Sequence, residues 1–325
     1  MTAPAITAGR SRGIRRAWIG LRTGDEVAHL VTFVFAASVL LATLVLMWSL
    51  WQGSAPTRAR FGFGFLIGTN WDPMEQDFGA LPFVYGTLLT SITALVIAVP
   101  LGVGAAIFLS ELAPPRLSDA FTFLVELLAA VPSVIYGLLA MFTVVPLLRQ
   151  YGEPALKRTL GFLPLFKGPA LGFSYLAAGI ILGLMAFPFI IAISREALME
   201  VPRDQREAAL ALGATRWEST SQVVVPYARL GILGSVFLAL ARALGETMAV
   251  TMVIGNSPTI KASLFAPGYT IAAVIANEFS EATGKIYVST LVELGLVLFL
   301  ITIIVNGLAR LMVIATSRKG TAHTA

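Results

Sequence analysis

Charged residues are rare in this chain, and a few of them stand inside apolar runs. Arg242 and Glu246 interrupt one such run, and Glu126 and Glu293 stand in or beside two others. A charge at mid-bilayer costs about 2.5–3.5 kcal/mol on insertion scales, so such residues face a protein interior or a water-filled path. Arg242 and Glu246 are four apart, which on a helix puts them on one face with about 6 Å of rise between them. An arginine presents a fixed fork of donors suited to an oxyanion. A mutual salt bridge that only makes the helix insertable is the competing reading. Other chemistries have no residues to support them. The chain has no cysteine, and its two histidines, His29 and His323, lie far apart. A thiolate nucleophile, a disulfide framework and a metal site are therefore not expected.

The elements that must hold these charges follow from composition. Of 325 residues 57% are hydrophobic and 13% charged, about half the charged share of a soluble domain. The mean hydropathy is +0.82. So few charges cannot cover a globular surface, and lipid must cover much of it. A span needs about 20 apolar residues. Charge-free stretches run from Val27 to Thr57, Phe78 to Ser110, Leu127 to Leu148 and Gly168 to Ser194. They predict helices over residues 28–51, 82–110, 120–148 and 171–194. A fifth is expected over 229–255, running through Arg242 and Glu246, and a sixth over 287–313, with Glu293 near its start. The expected fold is an all-α integral membrane protein of six transmembrane helices. Period-two alternation is missing, which argues against a β-barrel. Pro100, Pro132, Pro188, Gly183 and Gly245 inside these spans are tolerable where neighbours re-satisfy the backbone.

Lysine and arginine favour a cytoplasmic N-terminus, since the segments then facing the cytoplasm hold the larger share. The outer segment from Arg149 to Lys167, with Lys157 and Arg158, resists that rule. It is either a solvated loop or a surface that attracts an anion or a partner. The first 26 residues resemble the charged start of a signal peptide. The apolar stretch behind them is too long for a secretory h-region and reads as an uncleaved anchor.

Between the fourth and fifth spans lies a polar insert, Arg195 to Gln222. Pro202 suits the first turn of a helix and Gly213 the position past its end. Ala209, Leu210 and Leu212 supply an apolar stripe. Thr215-Arg216-Trp217-Glu218 reads as a capping box opening a second short helix, with Pro226 marking entry into the fifth span. A solvated connection is the plain reading; exposed Leu210, Leu212 and Trp217 beside charges suggest a knob for a soluble partner.

Glu207-Ala208-Ala209, Gly213, Val223, Val225 and Pro226 match the spacing of the EAA loop, and the chain resembles the permeases of binding-protein-dependent ABC importers. Valines replace the usual isoleucine and leucine. The resemblance implies a cytoplasmic coupling helix pair, carried by Glu207, Ala208, Ala209, Leu210, Gly213 and Pro226, seated on a separate ATPase. No phosphate-binding loop of the Gly, four residues, Gly-Lys-Ser/Thr type occurs in the chain, in keeping with an ATPase on another polypeptide. Within the family, Arg242-Ala243-Leu244-Gly245-Glu246-Thr247-Met248-Ala249-Val250 is similar to the fifth helix of phosphate-importer permeases of the PstC type. Gly86 to Ser91, Pro100 to Gly104, Glu126 and Ala130 to Gly137 add to the likeness.

That resemblance implies a cytoplasmic tail over 1–26, a first helix and outer loop over 27–81, the permease domain over 82–315 and a cytoplasmic tail over 316–325, in a bacterial cell membrane. It implies a non-catalytic subunit that binds no cofactor, with ATP and magnesium held by the ATPase. Implied partners are a homologous PstA-like permease, two copies of a PstB-like ATPase and an extracytoplasmic PstS-like phosphate-binding protein. Arg242 and Glu246 become candidates for the substrate path: a carboxylate can accept a hydrogen bond from hydrogen phosphate, which sulfate cannot offer. Glu126 and Glu293 are then interfacial groups or partners of Arg242, with a direct role in the substrate path as the alternative. A permease for molybdate or sulfate remains open. A secondary transporter would be expected to show inverted hydropathy repeats, and a sensor a soluble signalling domain; neither is visible.

Overall fold

The computed structural model describes residues 25–321, with side chains over 27–314. The expected tail 1–26 lies almost wholly outside the described residues, as does His323. Among the described residues, six helices are long and apolar enough to cross a membrane, as expected. The chain divides between Gln52 and Gly53 into two units. The first holds α1 (Asp25–Gly53), apolar on every side, the pattern of a helix that meets lipid rather than water.

The second unit begins with two short helices, α2 (Ala55–Phe61) and α3 (Gly64–Ile67), and a small antiparallel hairpin. In it β1 (Trp71–Asp72) pairs with β2 (Asp77–Phe78), Trp71 opposite Phe78. Its aromatic side chains join Phe83, Tyr269 and Tyr287 in a packed cluster. Then come α4 (Leu81–Leu112), α5 (Pro115–Ala130), α6 (Ser133–Leu160), α7 (Tyr175–Met199), α8 (Arg203–Ala211) and α9 (Arg216–Gly245). The short α10 (Met248–Thr251) and α11 (Ile271–Glu278) precede α12 (Lys285–Thr321).

The most extensive packing is between α4 and α7, and its cause is legible along α4. Gly86, Thr90, Ala94, Ala98, Gly102 and Ala106 recur every fourth residue and are all buried. Small side chains in such a stripe let two helix backbones approach closely, which is how helices associate where lipid removes the hydrophobic drive. A Cβ on Gly102 would lie 2.7 Å from Ile190 Cγ2, and one on Gly179 would lie 2.5 Å from Thr93 Cγ2. α7 is accordingly the most enclosed of the spans.

Four expectations need correction. The third span is not one helix over 120–148. Val131 and Pro132 are extended, at ψ 128° and 142°, because proline lacks an N–H and pushes its predecessor out of the helical region. The Tyr136 hydroxyl donates to Leu128 O at 2.7 Å and satisfies a carbonyl at the broken end. The spanning helix is thus α6, and α5 is a shorter separate helix. By contrast, Pro100 and Pro188 do lie inside helices, as expected.

Secondly, the basic segment 149–167 is not an open loop. Arg149, Lys157 and Arg158 ride on α6, held by the fully buried Glu153, which accepts from Gly172 N and Ser174 Oγ at 3.0 Å each. Thirdly, the capping box at Thr215 opens no separate short helix. The helix runs straight on as α9, and a π-turn over Thr220–Val224 lies just before Pro226. A wider turn there relieves the clash of a proline ring with the carbonyl four residues back. Lastly, the fifth span stops at Gly245 rather than 255.

Candidate translocation site and coupling hairpin

Arg242 sits in the last turn of α9, where unpaired helix carbonyls favour a cation. Its guanidinium carbon lies 4.3 Å from the centre of the Phe189 ring on α7, a cation–π contact. Arg242 and Glu246 line one crevice, too tight to admit a water molecule, with Leu182, Met185, Ala186, Ala239 and Ala243. The α7 residues in that set are central in Tyr175–Met199, which puts Arg242 near mid-depth of that helix.

The expected shared helical face is corrected. Glu246 is extended, at φ −69° and ψ 129°, just past the end of α9. Its Oε1 accepts from Ala249 N at 3.4 Å, at the start of α10. Among the described residues no ion pair joins Arg242 to Glu246. The helix break therefore leaves the cation and the carboxylate on one crevice without neutralising each other directly. Arg242 is exposed and Glu246 half-buried.

The other two acids do not join them. Glu293 is buried on α12 and pairs with Arg58 of α2 at 3.3 Å. Beside it Thr57 Oγ1 donates to Ser289 Oγ at 2.8 Å. That polar cluster fastens α2 to α12, so partnership of Glu293 with Arg242 is ruled out. Glu126 lies on α5 and lines a different cleft, of about 530 Å³, with Thr122, Arg195, Glu196 and Glu200. It too is no partner of Arg242.

The hairpin of α8 and the start of α9 is built as its residue types require. Pro202 stands one position before the helix, at the N-cap. After Leu212 the chain reverses at Gly213, whose φ of +90° is cheap only for glycine. Gly213 N donates to Leu210 O at 3.0 Å and Ala214 N to Ala209 O at 3.2 Å, the Schellman pattern that satisfies the last helix carbonyls. Thr215 Oγ1 accepts from Glu218 N while Glu218 Oε2 accepts from Thr215 N. Glu207 and Ala208 are exposed, and Leu212 and Trp217 are 90% and 60% exposed. A rigid bend thus presents apolar side chains outward, a shape for docking.

Two residues were not singled out by sequence reasoning. Glu111, at the end of α4, pairs with Arg206 of α8: Nη2 reaches Oε1 at 2.8 Å and Nε reaches Oε2 at 3.2 Å. Phe189 holds Arg242 as described. Glu111 carried a signal, since it is the acid that closes the charge-free run ending at Ser110; Phe189 carried none.

A multi-helix membrane chain with a bent polar hairpin between its fourth and fifth spans is the architecture of an importer's permease subunit. Residues 98–316 match the binding-protein-dependent transport system inner membrane component family, and the chain belongs to that family. It is 45% identical over 313 residues to the phosphate transport system permease protein PstC of Mesorhizobium japonicum, covering 95% of this chain and 94% of that one. The protein of the same name from Xylella fastidiosa is 46% identical over 299 residues, with 91% and 92% covered. A probable PstC of Methanocaldococcus jannaschii is 39% identical over 292 residues, with 88% and 92% covered. Among solved structures, a bacterial ABC transporter that imports the polysaccharide alginate matches with TM-score 0.56 at 15% identity, over 91% of this chain and 98% of that one. The MetNI methionine ABC transporter, in an inward-facing conformation, matches with TM-score 0.52 at 16% identity, over 76% and 99%. These two likenesses bear on the fold.

Proposed function

We propose that this chain is the membrane-spanning permease subunit of an ATP-driven, binding-protein-dependent importer of inorganic phosphate. The identity to phosphate permeases over nearly the whole chain carries the reading. The residue chemistry there supports it: Arg242 offers a planar fork of donors to phosphate oxygens. Glu246, nearby but unpaired with it, can accept from the P–OH of hydrogen phosphate and keeps the site's net charge low enough to release an anion.

The chain performs no covalent chemistry and holds no cofactor; ATP and magnesium belong to a separate pair of ATPase subunits. The exposed Leu212 and Trp217 of the hairpin support its role as the surface those subunits grip. The hairpin faces the cytoplasm, as does the N-terminus, and a homologous permease completes the pathway. A secreted phosphate-binding protein delivers the anion from outside. ATPase closure displaces the hairpins and opens the cavity toward that protein; hydrolysis resets it.

The test is uptake of labelled phosphate in cells lacking this chain, with and without its return, against excess sulfate or molybdate. Restored uptake that neither competitor suppresses is expected. Uptake abolished by molybdate or sulfate would reassign the substrate.

A further inference from the structure

One guanidinium gathers the ends of three helices beneath the bend. Arg206 of α8 makes a two-point contact with the carboxylate of Glu111, at the end of α4. The same side chain donates through Nη2 to Leu198 O at 2.7 Å, in the last turn of α7, and through Nη1 to Val201 O just beyond it. Glu111 is largely enclosed, its side chain 9% exposed, and Arg206 is 21% exposed. α4 carries the small-residue stripe against α7, and α7 carries the residues around Arg242.

We propose that Arg206 and Glu111 are the positioning pair that transmits motion of the hairpin into α4 and α7 during transport. The inference rests on the hairpin being the surface gripped by the ATPase. Its physical basis is that a planar fork bonded at all its edges resists both shear and rotation, whereas a lysine ammonium is a point charge that pivots. The exposed apolar side chains that the hairpin offers to an ATPase, Leu212 and Trp217, take no part in this contact. Loosening the pair therefore leaves docking intact and lets the hairpin move without dragging the spans. Neither residue lines the crevice at Arg242.

The experiment uses the complete transporter in proteoliposomes, with Glu111→Gln and Arg206→Lys made separately. Co-purification of the other subunits, ATP hydrolysis and phosphate uptake are measured on each preparation. Both variants are expected to assemble, to hydrolyse ATP at no less than half the starting rate, and to lose at least tenfold in phosphate moved per ATP. Stimulation of hydrolysis by the loaded binding protein is expected to vanish. Phosphate moved per ATP within twofold of the starting value overturns the proposal. So does a parallel fall of both activities that tracks the yield of assembled complex, because that marks a merely structural bond. If the unaltered complex moves no phosphate in an ATP-dependent way, the functional reading fails first.

Discussion

The crevice at Arg242 yields the sharpest prediction, through Phe189 rather than through the arginine itself. The Phe189 ring holds the guanidinium at 4.3 Å. Such a contact contributes about 0.5–1 kcal/mol at exposed sites and about 2 kcal/mol where water is excluded. Arg242 is exposed in the isolated subunit yet sits near mid-depth beside Leu182 and Met185, so a value near the middle, about 1.4 kcal/mol, is apt. Phe189→Leu keeps an apolar residue of similar bulk, and Phe189 is only half-buried, so its packing cost stays below about 1.5 kcal/mol. The released arginine must then be ordered anew by each anion. The expected result is a fall of about tenfold in initial uptake at subsaturating phosphate, with Phe189→Tyr, which keeps the aromatic face, within about twofold. Uptake should be measured in proteoliposomes at matched protein density. Equal uptake by Phe189→Leu and the starting protein, or an equal loss in Phe189→Tyr, would refute the role given to the ring.

Three further outcomes follow from local geometry. Gly86→Ala places a Cβ 2.1 Å from the Tyr269 carbonyl oxygen; overpacking of about 1–3 kcal/mol should lower the thermal aggregation midpoint, and an unchanged midpoint would contradict the close approach. Glu153→Gln leaves an amide facing one of two buried donors, Gly172 N or Ser174 Oγ. The penalty of about 1–3 kcal/mol should speed proteolysis in the connection between α6 and α7, and equal cleavage rates would argue against it. Gly213→Ala meets no atom within 4 Å but keeps φ at +90°. Strain of about 1–2 kcal/mol should raise amide exchange at Ala214 by about five- to thirtyfold, and unchanged exchange would mean that the bend had no need of glycine.

Much of this molecule is written in local sequence. A run such as Val27 to Thr57 cannot leave lipid without exposing a long apolar surface, so the number of spans followed from composition and length, though not the place of the third. The hairpin was legible for the same reason: a glycine past a helix end and a Thr-x-x-Glu box are satisfied by neighbours within a few residues. The failures sit where two local rules compete. Pro132 and Pro188 have the same chemistry and both lie in apolar runs, yet one ends a helix and the other rides inside one. Pro188 is enclosed by α4 and α9 around α7, whereas at Pro132 Tyr136 bonds the broken end instead. Gly245 likewise ends α9, and that separates Arg242 from the carboxylate that spacing alone put on its face.

Which charges meet was decided by the tertiary structure. Sequence separation holds no record of Arg58 meeting Glu293 or Arg206 meeting Glu111, because each pair forms only after long helices have packed. The sequence by itself determined that the chain lives in lipid, that its bend lies between two spans and that Arg242 stands inside the fifth of them. Packing alone decided what holds its side chain, since small residues spaced by four on α4 set how close α7 lies, and α7 brings Phe189 under the guanidinium.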